Sequence, residues 1–314
     1  MITRRRYLKL ALATGASLAI DPQPLMAGDT PAPITRAIPG TGEQLPVVGL
    51  GSSATFASRA GEADASALRE VLSALLQHGG KVVDTAPSYG AAERVAGEMA
   101  RSLGATQAIF WATKLNVAPP GGKASAQAAR RQLDTSFERI GKTPLDLVQV
   151  HNMGDPDTQL ALLRELQASD RIRYIGITTT FAGQYEHLER VMRSQPLDFI
   201  GVDYAIDNRA MEERIFPLAR DRGIGVLVYA PFGRTRLWQT VRAQALPEWA
   251  TEFDAHSWAQ FFLKFVIAHP AVTVTTPATS KVAHMVDNLG AMFGRLPDAA
   301  MRRRMITHVQ SLPG

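Results

Sequence analysis

Residues Lys81 to Glu93 read KVVDTAPSYGAAE: a short apolar run closes on the carboxylate Asp84, the phenol Tyr89 follows five positions later, and Gly90 opens a helix-like segment. The same strand-to-helix passage recurs along the chain. Short β-branched runs end near Gly51, Asp84, Lys114, His151, Thr178, Tyr204, Ala230 and Thr276. All but one of the gaps between them hold a single amphipathic helix-like segment, as in ADASALREVLSALLQHG, SAQAARRQLDTSFERIG and SWAQFFLKFVIAHP. Eight such units predict parallel strands joined by crossover helices, and so an α/β chain folded as a single (β/α)8 TIM barrel. Ahead of the first unit, RAIPGTGEQLPVVGLG predicts a small hairpin over the barrel floor. At the far end DAAMRRRMITHVQ predicts an extra C-terminal helix.

A doubly wound open sheet is the competing fold. It would show a glycine-rich turn after its first strand, and GLGSSATF does not match GxGxxG. With 314 residues, 46% of them apolar, the chain is long enough for one barrel, and no linker-like or low-complexity stretch interrupts residues 34–314.

The formal charge of +5 is unevenly placed: residues 1–27 carry +3 of it and the remaining 287 residues only +2. No basic run interleaved with aromatics stands in the larger part, which argues against a nucleic-acid partner. Residues 1–27 place Arg4, Arg5, Arg6 and Lys9 ahead of an apolar stretch, Leu10 to Ile20, too short to span a bilayer as a helix. TRRRYLK resembles the twin-arginine export motif, with Tyr7 where phenylalanine is commoner. The resemblance implies a signal peptide over 1–27, a linker over 28–33, the twin-arginine export machinery as a partner, and a periplasmic or otherwise exported destination. Cleavage after Ala27 would leave Leu25 where a small residue is preferred, and an uncleaved signal would anchor the chain at the membrane. The lack of cysteine is compatible with export.

Strand C-termini converge on one face of a barrel, where a site admits polar residues. Asp84, Lys114 and His151 end three successive runs about one βα unit apart, so they are expected side by side on the rim, with Tyr89 leaning back over them. The four have a coherent chemistry. A phenol is a poor acid at neutral pH, and a neighbouring ammonium is expected to lower its pKa. Asp84 would hold Lys114 charged, Lys114 would activate Tyr89, and His151 would orient the same oxygen and help polarise a carbonyl. Proton delivery to a carbonyl oxygen is half of a ketone reduction, and the hydride would have to come from a nicotinamide cofactor. A lysine held in a salt bridge stays protonated, which disfavours a Schiff-base lyase using Lys114.

These segments together resemble the aldo-keto reductases. DTAPSYG matches the family signature that carries the aspartate and tyrosine, and TKLN and VQVHN match the segments that carry the lysine and histidine. The resemblance runs from about Ile34 to about Phe293 and implies a TIM barrel, NAD(P)H-dependent carbonyl reduction, and Tyr89 as general acid. It also implies cofactor positions. YIGITTTF places Thr178 and Thr179 where a serine and an asparagine hold the nicotinamide amide, and Ser52 follows the first strand. FIGVDY has Gly201 where glutamine is usual. In VLVYAPFG, Tyr229 would stack on the nicotinamide and Pro231, Phe232 and Gly233 would turn over the pyrophosphate. Thr279, Ser280, Lys281, His284 and Asn288 would grip the adenosine end. NADPH is the expected cofactor and NADH the alternative, because His284 and Ala278 replace the arginine and lysine that suit a 2′-phosphate.

Phe56, Trp111, Asn152 and Trp238 lie beside strand ends or on the loops above them and are expected to line the pocket for a small carbonyl substrate. No metal site is expected, since the seven histidines show no ligand spacing. The departures at Thr179 and Gly201 keep a second reading open, a nicotinamide-nucleotide-binding sensor or interaction protein with weak or lost turnover.

Overall fold

A computed structural model describes residues 32–53, 55–56, 62–119 and 121–312. The export segment 1–27, and residues 28–31 of the expected linker, lie outside the described residues. The compact unit is Pro33–Gly314.

Among the described residues, two short strands, β1 (Thr35–Ala37) and β2 (Gln44–Pro46), form the expected antiparallel hairpin. Eight parallel strands follow: β3 (Leu50–Gly51), β4 (Val82–Asp84), β5 (Phe110–Leu115), β6 (Leu145–Val150), β7 (Ile172–Thr179), β8 (Phe199–Asp203), β9 (Gly225–Tyr229) and β10 (Val274–Thr275). They lie side by side in chain order, and the first and last meet: Gly49 N donates to Thr275 O at 2.8 Å and Gly51 N to Pro277 O at 3.0 Å. The sheet is therefore a nearly closed (β/α)8 barrel.

Helices α1 (Glu62–Gln77), α2 (Ala92–Ser102), α3 (Ala126–Ile140), α4 (Pro156–Ala168), α5 (Tyr185–Ser194) and α6 (Ile215–Asp221) fill the first six crossovers. The seventh crossover carries α7 (Arg236–Thr240) and α8 (Trp258–Ile267). After the barrel come α9 (Val282–Gly290) and the extra helix α10 (Ala299–Ser311). Their sequences carry the matching stop and start signals. Ser125, Ser257 and Asp298 cap the N-termini of α3, α8 and α10 by accepting backbone N–H bonds, and Gly141 ends α3 in the left-handed conformation.

Strand alternation sorts the apolar residues into two cores. Val82, Phe110, Leu147, Tyr174, Phe199 and Leu227 point into the barrel, where Ile38 and Leu45 of the hairpin segment join them and plug the floor. The intervening residues, such as Val83, Trp111, Val148 and Ile200, point outward and pack in the larger core that includes the helix faces. Above the inner apolar layer the same inward positions become polar: Asp84, Lys114, Gln149 and Thr178, with Tyr229 closing the circle. The fold places the site there because only the C-terminal ends of the strands carry these groups.

Candidate active site

Asp84 and Lys114 form the floor of the site. The Lys114 ammonium donates to both carboxylate oxygens of Asp84, at 2.8 and 2.9 Å, and to the carbonyl of Thr85 at 2.8 Å. Burial raises the pKa of the Asp84 carboxyl, while Lys114 and the Tyr229 hydroxyl pull it back. Burial alone would lower Lys114, but the Asp84 carboxylate and the Tyr89 oxygen together outweigh it and hold the ammonium above its usual range. A charged pair is the consistent state, since every proton of the ammonium has an acceptor.

Tyr89 lies over this pair, with Lys114 Nζ 5.0 Å from its ring centroid. Its pKa differs from the sequence expectation. Burial raises it, and the opposing pull of Lys114 does not reverse the shift, because Asp84 cancels part of that pull. Tyr89 is thus a fully protonated phenol whose ionised form has a cation at hand. His151 meets the Tyr89 ring edge to face at 5.8 Å, and its Nδ1 shares a 3.3 Å hydrogen bond with Ser88 Oγ. Burial and the nearby Lys114 depress its pKa to about 4, so the imidazole is neutral above that pH. The four residues expected to meet on the rim do meet.

The cofactor candidates divide. Ser52 is buried with a hydroxyl that has no partner among the described residues, and its backbone N donates to Asp84 O. Thr178 faces inward, and its hydroxyl accepts the Asn152 N–H at 3.2 Å. Thr179 has the opposite parity: it donates to Gln184 Oε1 and accepts from Phe181 N, so its hydroxyl is held within its own loop. Ala230, Pro231, Phe232 and Gly233 make a tight turn, in which Gly233 takes φ +57° and its N–H returns to Ala230 O. Phe232, Thr279, His284 and Asn288 come together on one cavity of about 390 Å³. Ser280 and Lys281 fall outside its lining, with Lys281 exposed at the start of α9. Four separately expected residues on one cavity, together with the unpartnered Ser52 hydroxyl and Gln149 Oε1 at the barrel mouth, fit a nicotinamide dinucleotide.

The substrate candidates need correction. Trp111 is wholly buried on the outward side of β5 and donates to Thr106 O, because it has the opposite parity to Lys114. Phe56 is also buried in the outer core. Trp238 stands 4.8 Å from Phe232 and lines the cavity of the cofactor candidates. Asn152 does line a groove with His151, about 980 Å³ in volume, between the loops that follow β5, β6 and β7. The backbone there is strained, with Asn152, Met153 and Asp155 all at positive φ, and Gln184 ties it down by donating to Asn152 O. Gln149 was missed. It stands in register with Lys114 and Gly176 inside the barrel, and a polar residue at an inward strand position is the signal that marks it.

The aldo/keto reductase family profile matches residues 47–305. The chain belongs to the aldo/keto reductase family and is an oxidoreductase. Among relatives, an aldo-keto reductase of Strobilurus tenacellus is 23% identical over 74% of this chain and 78% of its own. The NADH-specific methylglyoxal reductase of Escherichia coli is 29% identical over 53% of this chain and 56% of its own. Among solved structures, the holo form of an aldo-keto reductase from Bacillus halodurans superposes with a TM-score of 0.70 at 22% identity, covering 88% of this chain and 96% of that one. A Klebsiella pneumoniae aldo/keto reductase in complex with NADP and acetate gives 0.69 at 23% identity, covering 86% and 93%.

Proposed function

We propose that the protein reduces an aldehyde or ketone to the alcohol with Tyr89 as general acid. The carrying observation is the buried, bidentate Asp84–Lys114 pair directly beneath a protonated phenol. Ser52, Thr178, Tyr229, the turn 230–233, and the cavity of Thr279, His284 and Asn288 are the groups that would hold the nicotinamide dinucleotide. When bound, the cofactor supplies the hydride. The chain's own residues handle the proton. As negative charge develops on the carbonyl oxygen, Tyr89 gives up its O–H proton, and the resulting phenolate is stabilised by the ammonium of Lys114. Asp84 keeps that ammonium charged throughout. His151, neutral and edge-on to Tyr89, fixes the ring without adding a second cation that would compete for the phenolate.

The test is oxidation of NADPH and of NADH by the purified chain against a panel of aldehydes, ketones and quinones. Methylglyoxal heads the panel because a relative is named for reducing it. Turnover supports the reading. Tight nucleotide binding without turnover on any compound contradicts it and supports the sensor reading, which the engaged Thr179 hydroxyl favours.

The twin-arginine-like segment further supports export of the folded protein with its nucleotide bound. Periplasmic protein found free of nucleotide by mass spectrometry would count against this.

A further inference from the structure

Tyr229 does more at the barrel mouth than offer a ring. Its hydroxyl donates to Asp84 Oδ1 at 3.2 Å and accepts from Gln149 Nε2 at 2.9 Å, so a chain of hydrogen bonds runs from β6 through β9 to the carboxylate on β4. The ring reaches this place across the space above Gly201. A Cβ at Gly201 would lie 2.5 Å from Tyr229 Cε2, 2.6 Å from its hydroxyl and 2.9 Å from Thr178 Cγ2. Gly201 is not among the residues at positive φ, so its backbone conformation does not call for glycine. What calls for glycine is the room that the Tyr229 ring takes up.

We propose that Tyr229 is a positioning residue for the carbonyl reduction: its hydroxyl holds Asp84 ionised and aimed at Lys114, and Gly201 keeps open the space its ring occupies. This rests on the reductase reading above. Among the described residues, Asp84 Oδ1 accepts from both Lys114 and Tyr229, while Oδ2 accepts from Lys114 alone. The ionisable groups around it are Lys114 on β5, Tyr229 on β9 and Tyr89 on the loop after β4. His151 after β6 and Arg234 after β9 act one step away, on Lys114 and Tyr89. Burial works against the Asp84 charge, so each donor that meets it counts. Loss of the Tyr229 hydroxyl also leaves the Gln149 amide without its acceptor, on a side chain whose Oε1 already has no partner.

The experiment is a pH titration of the cofactor-free full chain carrying 13C-labelled aspartate carboxyls, with the Asp84 signal assigned by Asp84→Asn. Tyr229→Phe should raise the Asp84 midpoint by about one pH unit, the effect of losing one hydrogen bond to a charged group. The acid limb of kcat/KM, read at saturating NADPH, should rise with it. Gly201→Ala, which displaces the ring, should raise the same midpoint, and the double variant should add nothing further. If Tyr229→Phe does not fold, Gly201→Ala decides alone. An Asp84 midpoint that stays at the wild-type value overturns the proposal. The titration needs no turnover, so an inactive wild-type chain would sink the reductase reading and still leave this contact measured.

Discussion

Lys114 grips Asp84 through both carboxylate oxygens while neither side chain exposes more than 4% of its surface. A buried pair of this kind contributes little net stability, yet it is expensive to break from one side. Lys114→Met should therefore destabilise the fold by about 3–5 kcal/mol, because it strands a buried carboxylate. Removing both charges, as in Asp84→Asn with Lys114→Met, should recover much of that loss, although activity stays abolished. Urea unfolding of the two variants checks this, and equal losses in both would contradict it.

Two histidines predict an acid weakness. His151 and His269 are both held near a pKa of about 4, by burial first and then by nearby cations. Both are neutral in the folded and unfolded chain above pH 6.5, so they have no effect there. Below it the unfolded chain takes up protons that the folded chain refuses, and stability falls until the pH reaches about 4. Unfolding midpoints at pH 7 and pH 5 should show the loss, and His269→Gln should lessen it. A midpoint that is flat over this range would refute the assignment.

The α2–α3 packing predicts a steric lesion far from the site. A Cβ at Gly97 would lie 2.0 Å from the carbonyl oxygen of Arg139, which is backbone and cannot swing aside. Gly97→Ala should cost about 1–3 kcal/mol despite the better helix propensity of alanine. A thermal melt that shows no loss would mean the two helices shift apart freely.

The barrel was legible because each strand–helix unit repeats, and the rim cluster because Asp84, Lys114 and His151 close three successive runs, with Tyr89 on the loop after the first. What was misread turns on parity. Lys114 faces inward, so Trp111, three residues earlier, must face outward, and residue type alone drew it into the pocket. The same rule separates Thr178 from Thr179 and would have singled out Gln149, inward and polar in LDLVQV. The shift of Tyr89 escaped for another reason. The sequence shows that a lysine stands near the tyrosine, but only the packed structure shows that burial outweighs it. Trp238 was misplaced because it stands in the longest crossover, where strand spacing carries no information about where a side chain lands.

The most direct test of the account is Tyr89→Phe beside the wild type, with turnover and cofactor affinity measured on the same samples. The ring, the Lys114 contact and the fold should survive while the proton is gone. The account predicts nucleotide binding unchanged and kcat lower by about 100-fold or more, the usual contribution of a positioned general acid. A Tyr89→Phe protein that reduces the same carbonyl at close to the wild-type rate would contradict it.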